Sequence, residues 1–126
     1  MRRFGVRHRA RRSIARLWLP VVAWAALIFA LSSVSDLGTG LGGWDLLLRK
    51  IAHAFEFGVL GALLVRATGG PRLAFALGTL YAVSDEVHQS FVPGRMGSAV
   101  DVAIDTVGVL GGVVVWQLTC ARGRRS

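Results

Sequence analysis

Four long apolar segments fill most of this 126-residue chain and decide which folds are open to it. A helix needs roughly 20 apolar residues, within a range of about 17 to 25, to cross a bilayer. The four segments come close to that length or reach it: Leu17–Val34, Arg49–Val65, Leu73–Phe91 and Val100–Thr119. The pattern predicts an all-α fold, a four-helix transmembrane bundle formed by residues 17–119.

Charged residues are few, and most of them lie outside the apolar segments. They make up 17% of the chain, compared with about a quarter in an ordinary soluble domain. Arginine is concentrated in two basic tails, residues 1–16 and 120–126. Basic tails can bind nucleic acid, but the middle of the chain has no basic face interleaved with aromatic side chains. Nucleic acid is therefore not expected as a partner.

The distribution of Lys and Arg predicts the orientation, because short loops rich in these residues stay in the cytoplasm. With both termini cytoplasmic, 12 of the 15 Lys and Arg residues lie inside, and the outer side holds Arg49, Lys50 and Arg95. A cleaved signal peptide is the alternative for the first segment, since an apolar run follows a basic region. That run is long for a signal peptide, and "ALSSVSD" fits a cleavage site loosely. We expect a multi-pass protein of the cell membrane.

Polar side chains collect at the outer ends of three predicted helices. At about 1.5 Å of rise per residue, they fall within roughly 10 Å of one interface. They are Lys50, His53 and Glu56 on the second segment, Asp85, Glu86, His88 and Gln89 on the third, and Asp101 and Asp105 on the fourth. Gly108 and Gly112 follow at helical spacing, which allows close helix packing. Because charge inside a membrane is costly, we expect these side chains to surround one pocket with Arg95.

Several functions are compatible with such a cluster, and whether the protein is an enzyme stays open. Carboxylates beside imidazoles suit general acid–base catalysis on a lipid or cell-envelope headgroup. A non-enzymatic binding or barrier protein at the cell envelope, or a purely structural ion-pair network, would use the same side chains without a reaction. A proton- or ion-coupled transport element would need polar residues across the whole membrane, whereas the inner halves of the helices are apolar.

The residue types assign provisional roles within the cluster. The candidate catalytic residues are Glu86, His88, Asp85 and His53, with Glu86 and His88 as the acid–base pair. The candidate substrate-binding residues are Arg95, Lys50, Gln89, Asp101 and Asp105, with Arg95 orienting an anionic group and Asp101 fixing Arg95. No cofactor is predicted. A divalent metal is an alternative with ligands among His53, Glu56, Asp85, Glu86, His88 and Asp101, but none is predicted, because "DEVHQ" lacks the second histidine of a zinc-binding H-E-x-x-H motif. A lone cysteine, Cys120, excludes an intramolecular disulfide and a cysteine-based metal site.

Three stretches carry a specific pattern: "FALSS" at 29–33, "KIAHAFEFGVLGALL" at 50–64 and "SDEVHQSFVPGRMGSAVDVAIDTVGVLGG" at 84–112. Together they resemble the VanZ-like family of small bacterial multi-pass membrane proteins. The resemblance implies a membrane lipid or envelope precursor as partner. It also implies a connection to antibiotic resistance, since the founding member is linked to low-level teicoplanin resistance. It implies no particular reaction and no oligomeric state.

Overall fold

The computed structural model describes residues 4–34, 40 and 42–124, with side chains described from residue 14 onward. Within these residues the chain forms four helices and no strands: α1 Phe4–Ser32, α2 Gly43–Thr68, α3 Pro71–Ser90 and α4 Ala99–Gly123. The predicted all-α four-helix fold is confirmed. Residues 1–3 and 125–126 of the two predicted tails lie outside the described residues.

Two helices begin well before the apolar segments that predicted them. The backbone is helical from Phe4, so α1 includes most of the predicted N-terminal tail, and α2 starts at Gly43 rather than near Arg49. Hydropathy locates the part of a helix that suits lipid, whereas backbone hydrogen bonding continues into polar flanks. The predicted segments were therefore the apolar portions of longer helices.

Three helices are long and apolar enough, by length and composition, to cross a membrane: Ile14–Ser32 of α1, all of α2 and all of α4. The predicted third span, α3, does not meet the same criterion. Its last two turns contain the polar stretch "SDEVHQS" at 84–90, which lowers its hydropathy. Among the described residues, four transmembrane spans were predicted and three helices qualify by their own composition.

The bundle exposes large apolar side chains and buries carboxylates, which is unusual for a water-soluble protein. Large apolar side chains are exposed on the outside, including Leu19 and Phe91, which are 70% and 81% exposed. The interior contains an apolar core together with Asp85 and Asp105, which are 2% and 1% exposed. Carboxylates are almost never fully buried in water-soluble proteins unless they are paired. An apolar surface around buried charge is the arrangement expected of helices that face lipid.

Glycine residues bring α2 and α4 into direct backbone contact. A methyl group added at Gly108 would collide with the backbone carbonyl of Ala54, and one at Gly112 with that of Gly58. Close approach through small residues is a common way for helices to associate in membranes, where lipid removes the hydrophobic driving force. The predicted packing role of Gly108 and Gly112 is confirmed. The close contact also holds the polar ends of α2 and α4 side by side.

Side-chain hydrogen bonds attach α1 to the rest of the bundle, and two of them come from aromatic residues. The indole nitrogen of Trp24 donates to the backbone oxygen of Glu56 on α2, at 2.8 Å. The hydroxyl of Tyr81 on α3 donates to the backbone oxygen of Ala25, at 2.5 Å. A buried indole N–H or phenol O–H usually finds such a partner. These bonds place the C-terminal end of α1 at the level of the polar residues on the other three helices.

Candidate functional site

A cavity of about 290 Å³ lies at the end of the bundle where α3 leads into α4. This volume is at the lower end of small-molecule pockets, which are roughly 300–1,000 Å³. Its wall contains seven of the nine predicted site residues, Lys50, His53, Glu86, Gln89, Arg95, Asp101 and Asp105. Arg49 and the apolar side chains of Leu46, Met96 and Ile104 are also in the wall. Asp85 and His88 do not line the cavity.

A tight turn directly after α3 positions Arg95. The Arg95 backbone N–H donates to the oxygen of Val92 at 3.1 Å, and Gly94 has a φ of 79°. Proline at the second position and a glycine with positive φ at the third are typical of a type II turn, so Pro93 and Gly94 account for the local backbone. Among the described residues, no carboxylate lies within ion-pair distance of the Arg95 guanidinium. Its Nε is buried without a hydrogen-bond partner.

Lys50 and Asp101 form an ion pair between α2 and α4. The Lys50 Nζ lies 2.6 Å from Asp101 Oδ1, and the two side chains are 31% and 34% exposed. Asp101 was predicted to fix Arg95, and that prediction is wrong. The close packing of α2 against α4 places the first-turn carboxylate of α4 opposite Lys50 instead. The positive charge of Lys50 is therefore already paired, whereas that of Arg95 has no carboxylate partner in the part of the chain that the structure describes.

Glu86 anchors the start of α4. Its Oε1 accepts a hydrogen bond from the backbone N–H of Ser98, at 2.6 Å. The Ser98 hydroxyl in turn caps the helix by accepting from the Val100 N–H, at 3.2 Å. Carboxylates and hydroxyls stabilise a helix N-terminus because they bind its unpaired N–H groups. Glu86 thus has a structural contact as well as a place in the cavity wall, and its Oε2 is buried without a hydrogen-bond partner.

His88 packs against α1 and not against the cavity. Its ring stacks on Phe29 with the centroids 4.1 Å apart. Its Nε2 lies 2.9 Å from the hydroxyl oxygen of Ser33. Side chains two positions apart on a helix do not face each other. Consequently the predicted acid–base pair of Glu86 and His88 is not formed: Glu86 contacts α4, and His88 contacts α1.

Three side chains from three helices form a more deeply buried cluster, which we call the buried trio: His53 of α2, Asp85 of α3 and Asp105 of α4. One nitrogen or carboxylate oxygen from each lies within 4.8 Å of the others. The His53 Nδ1 is 3.7 Å from Asp105 Oδ1. Asp85 Oδ2 accepts hydrogen bonds from Ser32 Oγ at 2.8 Å and from Gln89 Nε2 at 3.0 Å. Within the part of the chain that the structure describes, Asp85 Oδ1 and both oxygens of Asp105 are buried without a hydrogen-bond partner.

The contribution of α1 to this region was not predicted from the sequence. Ser32 contacts Asp85, while Phe29 and Ser33 contact His88. A signal was present, because the two serines of "FALSS" end the first apolar segment at the level of the other polar residues. A serine at the end of an apolar segment carries little signal by itself, so neither hydroxyl was among the predicted site residues.

The arrangement combines a cation, an imidazole and carboxylates around one small cavity among apolar helices. The Arg95 guanidinium suits an anionic group. His53 is the cavity-lining imidazole among the described residues, and it is therefore placed for proton transfer. The site as a whole depends on α2, α3 and α4 together, with α1 supporting Asp85.

The family comparison covers nearly the whole chain. A family model described as VanZ/LLP1 matches residues 6–120, which contain every residue of the cavity wall and the buried trio. The comparison with curated proteins and the comparison with solved structures each found no match. The match spans the apolar helices and the polar cluster alike. The chain is therefore a membrane protein that belongs to the VanZ/LLP1 family.

Proposed function

We propose that this protein binds the anionic headgroup of a membrane lipid or cell-envelope precursor in the cavity. The observation that carries the proposal is the Arg95 guanidinium, which lies in the cavity wall with no carboxylate partner among the described residues. A guanidinium binds phosphate or carboxylate through two parallel N–H···O bonds. An unpaired charge among apolar helices is costly, so a bound anion would stabilise it.

The apolar residues near Arg95 support an amphiphilic ligand rather than a free anion. Met96 lines the cavity and is 89% exposed, and Phe91 is exposed at the end of α3. A lipid bound with its phosphate at Arg95 would lay its acyl chains along such a surface. A small soluble anion would gain nothing from these side chains.

The same proposal places the cavity at the outer face of the cell membrane, with both termini cytoplasmic. Its support is the excess of Lys and Arg on the opposite side, 12 residues against 3. The chain then crosses the membrane several times, and its polar cluster meets the headgroups of the outer leaflet. We assign any acid–base step on a bound headgroup to His53, because His88 faces α1.

Lipid binding to the purified protein tests the proposal. Native mass spectrometry in detergent would compare phosphatidylglycerol, which is anionic, with phosphatidylcholine, which is zwitterionic. Loss of charge-assisted hydrogen bonds worth about 1.5–3 kcal/mol corresponds to roughly 10- to 150-fold in affinity. We expect Arg95→Gln to lose that much phosphatidylglycerol affinity, whereas Arg95→Lys retains part of it.

Arg72→Gln is the matched control, because Arg72 is an exposed arginine in the first turn of α3, at the opposite end of that helix from Arg95 and the cavity. It should leave the affinity unchanged. Equal phosphatidylglycerol affinity for Arg95→Gln and the parent protein would refute the proposal, as would equal affinity of the parent for the two lipids.

A cellular consequence concerns glycopeptide susceptibility, which we propose depends on the same cavity. Expression in a teicoplanin-susceptible bacterium should raise the inhibitory concentration for the parent and for Arg72→Gln but not for Arg95→Gln. Immunoblots of the membrane fraction must show equal abundance of the three proteins. An unchanged inhibitory concentration with the parent protein would contradict a role in resistance and leave lipid binding to be judged by its own measurement.

A further inference from the structure

We propose that the buried trio of His53, Asp85 and Asp105 binds a divalent transition-metal ion at the junction of α2, α3 and α4. Each helix contributes one ligand. The inference rests on the geometry and burial of these side chains, and it does not depend on headgroup binding at Arg95. A bound metal would occupy His53 and would replace the acid–base role that we proposed for that side chain.

The first argument is the unsatisfied bonding capacity of the two carboxylates. Asp105 is 1% exposed and Asp85 is 2% exposed. Among the described residues, both oxygens of Asp105 and the Oδ1 of Asp85 lack a hydrogen-bond partner. Buried polar groups almost always have partners, and burying an ionised carboxylate without compensation is strongly unfavourable. A cation between the two carboxylates would satisfy these oxygens and neutralise their mutual repulsion.

The distances fit a shared ion better than direct hydrogen bonds. His53 Nδ1 and Asp105 Oδ1 are 3.7 Å apart, which is too long for a hydrogen bond. In tetrahedral coordination with metal–ligand distances of about 2.0–2.2 Å, two ligand atoms on one ion are about 3.3–3.6 Å apart, close to the 3.7 Å between His53 Nδ1 and Asp105 Oδ1. The three ligand atoms lie within 4.8 Å of one another, so small side-chain rotations complete the site.

The surroundings orient Asp85 for this role. Ser32 Oγ and Gln89 Nε2 both donate to Asp85 Oδ2, at 2.8 and 3.0 Å, which leaves Oδ1 available. Metal-binding carboxylates are commonly held in this way by hydrogen bonds from outside the ligand set. Ser32 is itself fully buried, so the supporting bond is shielded from water.

The donor set indicates the class of ion. One imidazole nitrogen with two carboxylate oxygens suits Zn²⁺, Mn²⁺ or Fe²⁺, whereas Ca²⁺ and Mg²⁺ favour oxygen ligands throughout. Three protein ligands leave at least one coordination position for water or a ligand oxygen. His53 and Asp105 also line the cavity, which places the buried trio beside it.

Metal content and metal-dependent stability test the inference. The full chain, purified in detergent without a polyhistidine tag, is stripped with EDTA and titrated with Zn²⁺ or with Mn²⁺. Bound metal is then measured by inductively coupled plasma mass spectrometry after desalting, and thermal unfolding is followed in parallel. We expect about one ion per chain for at least one of the two metals, with a rise in Tm that saturates at one equivalent.

Asp105→Asn and His53→Gln should each lower the metal affinity at least tenfold. Asp101→Asn is the matched control, because it removes a carboxylate one turn away on the same helix, outside the buried trio. It should bind metal as the parent does. Arg95→Gln should also keep its metal while losing lipid affinity, which separates this inference from the headgroup proposal.

Failure of the parent protein to bind either metal, or to gain Tm on metal addition, would overturn the inference. Equal metal binding by Asp105→Asn and the parent would do the same. Should Asp105→Asn fail to fold, as judged by circular dichroism, the parent titration and His53→Gln decide the question.

Discussion

Substitution of two adjacent glycines on α4 probes the close contact between α2 and α4. Gly111 and Gly112 are neighbours in sequence, yet they face different surroundings. An added Cβ at Gly112 would lie 2.6 Å from the carbonyl carbon of Gly58 and 3.0 Å from its Cα, and closer still to its carbonyl oxygen. An added Cβ at Gly111 would have no atom of another helix within 4 Å among the described residues.

These distances set the size of the effect. Real Cβ atoms essentially never approach other atoms within 3.0 Å, so Gly112→Ala must push α2 and α4 apart by an amount on the order of 1 Å. Overpacking of this kind typically costs about 1–3 kcal/mol. Gly111→Ala carries no steric cost, and alanine is favoured over glycine within a helix by up to about 1 kcal/mol.

Thermal unfolding in detergent measures the difference directly. For a domain of this size, 1 kcal/mol corresponds to a Tm change of roughly 3–6 °C. We expect Gly112→Ala to lower Tm by several degrees and Gly111→Ala to leave it unchanged or to raise it. The separation of α2 from α4 should also weaken lipid binding at the cavity, since both helices contribute to its wall. Equal Tm values for the two variants would refute the backbone contact and the close packing derived from it.

Three further predictions concern the cavity and its surroundings. Gly94→Ala forces alanine into a left-handed conformation, at a cost of about 1–2 kcal/mol. Because this strain displaces Arg95, native mass spectrometry should show weaker phosphatidylglycerol binding. Glu86→Gln retains an oxygen for the Ser98 N–H, so membrane abundance on immunoblots should stay normal; a collapse in abundance would show that the negative charge itself holds α4. His88→Phe preserves an aromatic ring against Phe29 outside the cavity, and lipid affinity should stay within twofold of the parent; a larger loss would mean that His88 acts on the site.

The helices, and the depth of the polar residues along the helix axes, were predictable because each depends only on distance along the sequence. The length of an apolar run determines whether a helix can span lipid, and rise per residue determines depth along the axis. Gly108 and Gly112 were predictable for a similar reason, since a four-residue spacing places both on one face of α4.

The direction of each side chain around its helix could not be derived from these quantities. It depends on how four helices rotate and cross, which is a property of the whole bundle. His88 therefore turned out to face α1, and Asp101 to pair with Lys50 rather than with Arg95. The contribution of Ser32 was missed for a related reason, because a single hydroxyl at a helix end carries little signal until a partner such as Asp85 is known.

The most direct test of headgroup binding is the position of a lipid phosphate in an experimental structure. Crystals grown from a lipidic mesophase containing phosphatidylglycerol would supply the ligand at high concentration. Headgroup binding predicts a phosphate group in the cavity, with oxygens about 2.7–2.9 Å from the Arg95 guanidinium nitrogens. A cavity filled by water, with Arg95 paired to Glu86 or Asp101 and lipid phosphates elsewhere, would contradict it.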